Sequence, residues 1–357
     1  MARPHPALLD IGAGRPVGVV ADTDALVTSA SEHGMSGLLW SRMRVGEVAV
    51  DGERALQLAA GDVARREHSE ALASALERAV SLLRDRGIAS AAFKGVCTER
   101  RSYVRPGERP SRDVDLLVAP GDVHRFGEAV DALDPDYALR AGVDRRIALG
   151  MQQAATLRFD GVSVDLHADV ATLGVPSRAN ELVWERVTSL SFDGGREVPV
   201  LDAEGELYAL ATHLIKDRFA RLINHVDVVR LAGRADLDWS AMRRMAAADG
   251  LDGLLPLAVE AVHTTLDVPL PQAFRRPRGR KPLGWSLLHR PGSVLAGTGP
   301  PPRRQLLVPL VIPGRRGEVL QWLLRRVLPP AEVSRDLYSG VSANPVARLW
   351  RARRPRP

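Results

Sequence analysis

The stretch Asp113-Val114-Asp115-Leu116-Leu117-Val118 narrows the fold more than any other in the chain. Apolar residues alternate with two acids and then run on as a short buried strand. On a strand, positions i and i+2 share a face, so Asp113 and Asp115 present their carboxylates together. Two like charges that close are unfavourable unless a cation sits between them. Hard oxygen donors on a rigid strand suit Mg²⁺, with Mn²⁺ as the alternative, and leave positions for a substrate's phosphates.

A third acid sharpens the pattern. Val162-Ser163-Val164-Asp165-Leu166-His167 alternates as a second strand, with Asp165 and His167 on one face. Asp160-Gly161 before it is a two-residue hairpin signal, expected to join Thr156–Phe159 to Val162–His167. Asp-x-Asp on one strand and one Asp on another can hold two metals about 3.5–4 Å apart. Such a pair suits in-line phosphoryl displacement. Upstream, Ile88 to Phe93 reads as a strand that ends in Lys94-Gly95, the turn into a short helix near Val96–Tyr103. Of 49 basic residues only three are lysines, Lys94, Lys216 and Lys281, so an ammonium beside a glycine turn stands out. A compact ammonium approaches phosphates where a planar guanidinium needs room, so Lys94 is expected to contact a triphosphate. Gly95 would let backbone and phosphate come close.

The string Phe93-Lys94-Gly95, Tyr103, Pro106-Gly107, Arg109-Pro110, Asp113-Val114-Asp115-Leu116-Leu117-Val118 and Val164-Asp165-Leu166-His167 resembles the uncharacterised bacterial nucleotidyltransferase family. That family belongs to the polymerase-beta-like nucleotidyltransferase superfamily. Ala30-Ser31-Glu32-His33-Gly34 resembles its N-terminal helix, and Glu206-Leu207-Tyr208, His213, Lys216 and Asp227 its later helices, so the likeness covers roughly residues 20–250. The wider superfamily usually carries Gly-Gly or Gly-Ser before the aspartates; this chain has Lys94-Gly95-Val96, and a longer gap to Asp113.

The resemblance implies an α+β fold: a small mixed-sheet core between N-terminal and C-terminal helical segments. It implies Mg²⁺-dependent transfer of a nucleoside monophosphate from an NTP, ATP among them, to an acceptor hydroxyl or phosphate. The acceptor is a small molecule, a peptide, a protein or an RNA end. Asp113 and Asp115 would hold the metals that orient the triphosphate, and Asp165 the metal at the nucleophile, whose proton it could accept. Arg109 and Arg112 either clamp a phosphate or balance the acids. His167 contacts substrate, orders a metal-bound water, or only hydrogen-bonds at the strand end. His213 and Lys216, on one helix face, border the acceptor or nucleotide or form a structural polar cluster. Two other readings remain: a noncatalytic nucleotide-binding or partner-binding relative, and a sugar-nucleotide transferase using Asp-x-Asp. The last should have a nucleotide-binding α/β half before the motif, whereas the preceding residues read as helical.

Four segments are expected: helical 1–86, the α/β core 87–200, helical 201–272, and an Arg/Pro-rich region 273–357 with a disordered end. Helices are placed from Asp22 or Thr23 to about Met43, broken near Gly34, and from Gly52 to Arg86, closed by Gly87. Others are placed at Gly121–Leu133, after Asp202, at Arg221–Leu231, after Asp238, and at Gly317–Val327. Gly12-Ala13-Gly14 is not a dinucleotide loop, because Pro16 follows and no strand precedes it. The single cysteine, Cys97, fits a reducing cytoplasm, and no apolar run reaches the ~20 residues of a membrane span. Residues 273–357 hold 18 basic residues against three acids, so RNA is a candidate partner of that region. The sequence does not set an oligomeric state.

Overall fold

A computed structural model describes residues 3–50, 52–122, 138–139, 153–171, 173, 175–192, 195–274, 285–289, 294–295, 310, 312 and 314–327. The expected helix at Gly121–Leu133 and the expected disorder at Arg351–Pro357 fall outside these residues, save for a short turn at Pro120–Asp122.

Among the described residues the sheet has seven strands in the order β3-β4-β5-β2-β1-β7-β6. They are β1 (Ser90–Phe93), β2 (Asp113–Val118), β3 (Ala138–Leu139), β4 (Gln153–Phe159), β5 (Val162–His167), β6 (Thr188–Ser191) and β7 (Glu197–Val200). Strand β2 runs antiparallel to β1 and parallel to β5, with Asp115 level with Asp165. Asp160 and Gly161, at φ 47° and 86°, make the tight turn between β4 and β5. The sequence reading missed the β6–β7 pair, which extends the sheet beyond β1 through the Ala92–Val200 register.

Alternation along the strands sends residues to two different cores. Ala92, Val114, Leu116, Val164 and Leu166 pack against helix α4 (Gly52–Asp85), through Leu72, Leu76 and Leu83. Ala91, Phe93 and Leu117 face the opposite layer. Asp113, Asp115, Asp165 and His167 share this second side by the two-residue period.

The second layer is helical: α6 (Asn180–Trp184), α7 (Ala203–Lys216), α8 (Leu222–Ala232), α9 (Trp239–Ala248) and α10 (Leu255–Leu266). Asp202 and Asp238 cap α7 and α9 through the amides of Gly205, Ser240 and Ala241, as expected of these residue types. Helix α10 was not foreseen, nor was α1 (Pro6–Ala13). Pro and Gly punctuate α1, with Pro6 in its first turn and Gly14 left-handed just after it. Helices α1, α2 (Thr23–His33) and α3 (Ser36–Arg44) share a third core with Leu222, Val226 and Leu266. The first three N-terminal helices therefore lean on the helical layer, while α4 packs on the sheet. Helices α5 (Gly95–Ser102), α11 (Trp285–Leu288) and α12 (Arg316–Val327) complete the described α-helices. Among the described residues no helix is long and apolar enough to cross a membrane.

Candidate active site

A cleft of about 270 Å³ lies between the sheet and the helical layer. It gathers Lys94, Gly95, Arg109, Arg112, Asp113, Asp115, Asp165, His167 and Lys216, every residue the sequence reading singled out for the site. It adds Asp217, Arg221 and Asn224, which that reading passed over, and His213, which it left open.

The sheet side carries the acids. Asp115 Oδ1 lies 2.6 Å from His167 Nε2 and 4.0 Å from Lys94 Nζ. Burial alone would raise the Asp115 carboxyl, but the Lys94 ammonium and the His167 contact hold it well below the usual carboxylate range. Asp165 Oδ1 accepts a hydrogen bond from Thr156 Oγ1 at 2.6 Å. Asp113 is pushed up to about 6 by burial and by the carboxylates of Asp115 and Asp165. Three carboxylates crowd one face, and the one with the weakest compensation pays for it in basicity.

The turn after β1, where the chain departs from Gly-Gly, is strained. Lys94 adopts φ 57°, ψ −157°, backbone normally left to glycine, with a lysine side chain in its place. Its ammonium also sits 4.4 Å from the centre of the Phe93 ring. Gly95 serves a tight approach of protein to protein: a Cβ there would stand 3.3 Å from Ser111 Oγ and 3.4 Å from the Asp113 carbonyl oxygen.

Arg109 is committed elsewhere. Its Nε and Nη2 donate to Asp227 Oδ2 at 3.1 and 3.0 Å, and Asp227 also accepts from Tyr103 OH at 2.6 Å. This buried fork fixes the loop that leads into β2 against α8, with Arg109 Nη1 donating to Ser111 Oγ at 2.6 Å.

The helical side is different. His213 Nε2 pairs with Asp217 Oδ2 at 3.1 Å, one turn apart on α7 and its end. Lys216, Arg221 and Arg112 have no carboxylate within 4.0 Å among the described residues. Burial lowers the Lys216 ammonium, with Asp217 opposing and Lys94 adding to the shift. Burial also lowers Arg221, and the guanidiniums of Arg112 and Arg109 lower it further. Cations that crowd one another with no carboxylate in salt-bridge range form a surface suited to a polyanion.

Among the described residues no group of three or more His, Cys, Asp or Glu is gathered ready to hold a metal ion. The donor set nevertheless fits a hard divalent ion, being three oxygen donors on one face whose mutual repulsion a cation would relieve.

No curated protein matches the chain. Among solved structures it is similar to an antigenic nucleotidyltransferase-like protein from Paracoccidioides brasiliensis, at 15% identity and a TM-score of 0.33. That match covers 57% of this chain and 94% of the other. A family model described as uncharacterised nucleotidyltransferase matches residues 20–267. With most of its length matched, the chain belongs to the uncharacterised nucleotidyltransferase family.

Proposed function

We propose that this chain transfers a nucleoside monophosphate from an NTP to an acceptor hydroxyl or phosphate, with Mg²⁺, or Mn²⁺ in its place, and that it does so in the cytoplasm. One observation carries the reading: Asp113, Asp115 and Asp165 share a cleft face opposite cations that lack acid partners. In the transfer, a bond forms from the acceptor oxygen to the α-phosphorus as the bond from that phosphorus to pyrophosphate breaks. The acceptor's proton passes to the carboxylate of Asp165, and pyrophosphate leaves with the electron pair. Asp113, Asp115 and Asp165 would hold the metal, which when bound supplies charge to offset the triphosphate and the leaving group. Lys94 and Lys216 bind phosphate oxygens, and Arg112, at the exposed rim, steers the polyanion inward. Arg109, tied to Asp227, holds the loop that delivers Asp113.

The test does not require the acceptor. Binding of the four NTPs by calorimetry, with Mg²⁺ and then with excess chelator, should show metal-dependent affinity that Asp113→Asn and Asp115→Asn abolish. Equal affinity in the chelated protein and in both variants would sink the reading. A nucleotide-binding relative without turnover is favoured by one observation, the absence of a metal-ready cluster among the described residues. Pyrophosphate release over the background rate, with any acceptor, excludes it.

A further inference from the structure

The connection from α7 to α8 turns through two successive left-handed residues, neither of them glycine: Arg218 at φ 54° and Phe219 at φ 60°. Bulky side chains rarely adopt such backbone, and it persists where the surroundings over-determine it. Here they do. The Phe219 ring is buried edge-on against Trp285 and His289, at centroid distances of 5.8 and 5.0 Å. Its amide donates to the Leu214 carbonyl at 3.0 Å and its carbonyl accepts from Leu295 at 2.8 Å. The turn bears Lys216 and Asp217 on one side and Arg221 on the other, all lining the cleft.

Arg221 occupies the N-cap position of α8 and offers no capping side chain. The cap comes from the N-terminal helices instead, since His33 Nδ1 accepts the Leu222 amide at 3.4 Å. The next residue, Gly34, closes α2 at φ 73°. A Cβ on Gly34 would stand 2.9 Å from Arg221 Nη2 and 3.0 Å from Ile223 Cγ2. His33 and Gly34 thus form a seat: one fixes the start of α8, and the other leaves the space the Arg221 guanidinium fills. The cations are also ordered along the cleft. Lys216 and Arg221 both sense Asp217 between them. Beyond it Lys216, at the end of α7, senses Lys94, Asp115 and Asp113, whereas Arg221, beside Gly34 at the start of α8, senses Arg112, Arg109 and Asp227. An extended polyphosphate whose α-phosphate lies at the carboxylates would pass Lys216 and end at Arg221.

We propose that Arg221 binds the terminal phosphate of the nucleotide and so selects triphosphates over diphosphates, and that His33 and Gly34 are positioning residues that hold it there. This rests on the nucleotidyltransferase reading above.

The experiment measures dissociation constants of the full chain for ATP and for ADP, each with Mg²⁺, together with melting temperature. The wild-type chain should favour ATP by at least about tenfold, the gain of one charge-assisted phosphate contact. Arg221→Met should remove most of that preference, weakening ATP about tenfold and leaving ADP unchanged. Gly34→Ala adds both backbone strain and a methyl against the guanidinium, and this variant can fail to fold. Gly34→Asn separates the two, because asparagine tolerates the left-handed conformation while its side chain still displaces Arg221. It should lower the ATP-to-ADP preference as Arg221→Met does, and adding it to Arg221→Met should have no further effect on that ratio. If Arg221→Met weakens ATP and ADP alike, Arg221 does not read the terminal phosphate. If Gly34→Asn leaves the ratio at the wild-type value, the seat is not what positions Arg221. A wild-type chain that binds neither nucleotide overturns the nucleotidyltransferase reading and this inference with it.

Discussion

The two walls of the cleft treat charge in opposite ways. On the sheet side Asp115 has Lys94 and His167, Asp165 has Thr156, and Arg109 is locked to Asp227. On the helical side Lys216 and Arg221, with Arg112 at the rim, line the cleft without acid partners among the described residues. Arg109 and Arg221 are the same residue type in the same cleft, yet one completes a buried network and the other has no carboxylate within salt-bridge distance among the described residues. Charge satisfied inside the protein maintains structure; charge left unsatisfied at a concave surface awaits a ligand.

The sharpest way to break this contrast is at the acids. Asp115→Asn removes one of the three carboxylates proposed to hold the metal while keeping size. Metal-dependent turnover should fall on the order of 10³-fold, the several kcal/mol such a centre supplies. Single-turnover rates and calorimetry would read this, with the melting temperature shifting by only a few degrees. A rate unchanged from wild type would remove the sheet wall from the chemistry.

Next come the two arginines. Arg109→Met leaves Asp227 buried and uncompensated, which should cost about 3–5 kcal/mol of stability in a urea titration. Arg221→Met should change stability by no more than about 0.5 kcal/mol, since no pair is broken. Similar losses in the two variants would mean the walls do not differ in the way described.

Acid should act on the helical side. Burial, with His289 and His33 beside it, pushes His225 down to about 4, so it folds neutral. Its folded value lies below its unfolded one of about 6.5, so its contribution is complete above pH 6.5 and is lost as pH falls towards 4. The slope is up to about 1.4 kcal/mol per pH unit. Asp169 works in the opposite sense: burial pushes it up to about 6, so its contribution is complete below its unfolded value and lost as pH rises through 6. Comparing urea midpoints of wild type and His225→Phe between pH 7 and 5 isolates the histidine; parallel pH profiles would contradict its assignment.

The smallest effect concerns Lys94. Replacing it with glycine relieves positive-φ strain of about 1–2 kcal/mol but adds chain entropy of about 0.5–1 kcal/mol. It also strips Asp115 of its neighbouring ammonium, so the backbone gain is offset and stability should stay within about 1 kcal/mol of wild type. Triphosphate affinity should nonetheless drop, and drop in Lys94→Arg as well, because the guanidinium does not fit beside the turn. A Lys94→Arg protein with wild-type affinity would show that charge alone suffices.

Much of this was legible in the chain. The alternation around Asp113, Asp115 and Asp165, the Asp160-Gly161 turn and the capping aspartates are local signals, and each appears where local physics puts it. What could not be read is what depends on distant partners. Arg109 looked equally suited to phosphate or to an acid, because its partner lies 118 positions away. Arg221 looked like an ordinary helix start, because its seat is supplied by His33 and Gly34. Strands β6 and β7, of four residues each, are too short for alternation to announce them.

The sheet order also sets a sequence of assembly. The β4–β5 hairpin closes across two residues, whereas β2 meets β5 and β1 meets β7 only after long excursions of the chain. Loop-closure cost makes such non-local pairings late and slow. Asp113 and Asp115 therefore leave the ribosome well before Asp165, and the loop that aims them is not pinned until Asp227 follows. A growing chain passes through a stage in which paired aspartates exist without a cleft around them. Fragments ending short of Asp227 should hold no nucleotide, and ligand added during synthesis should act only on chains that have passed that point.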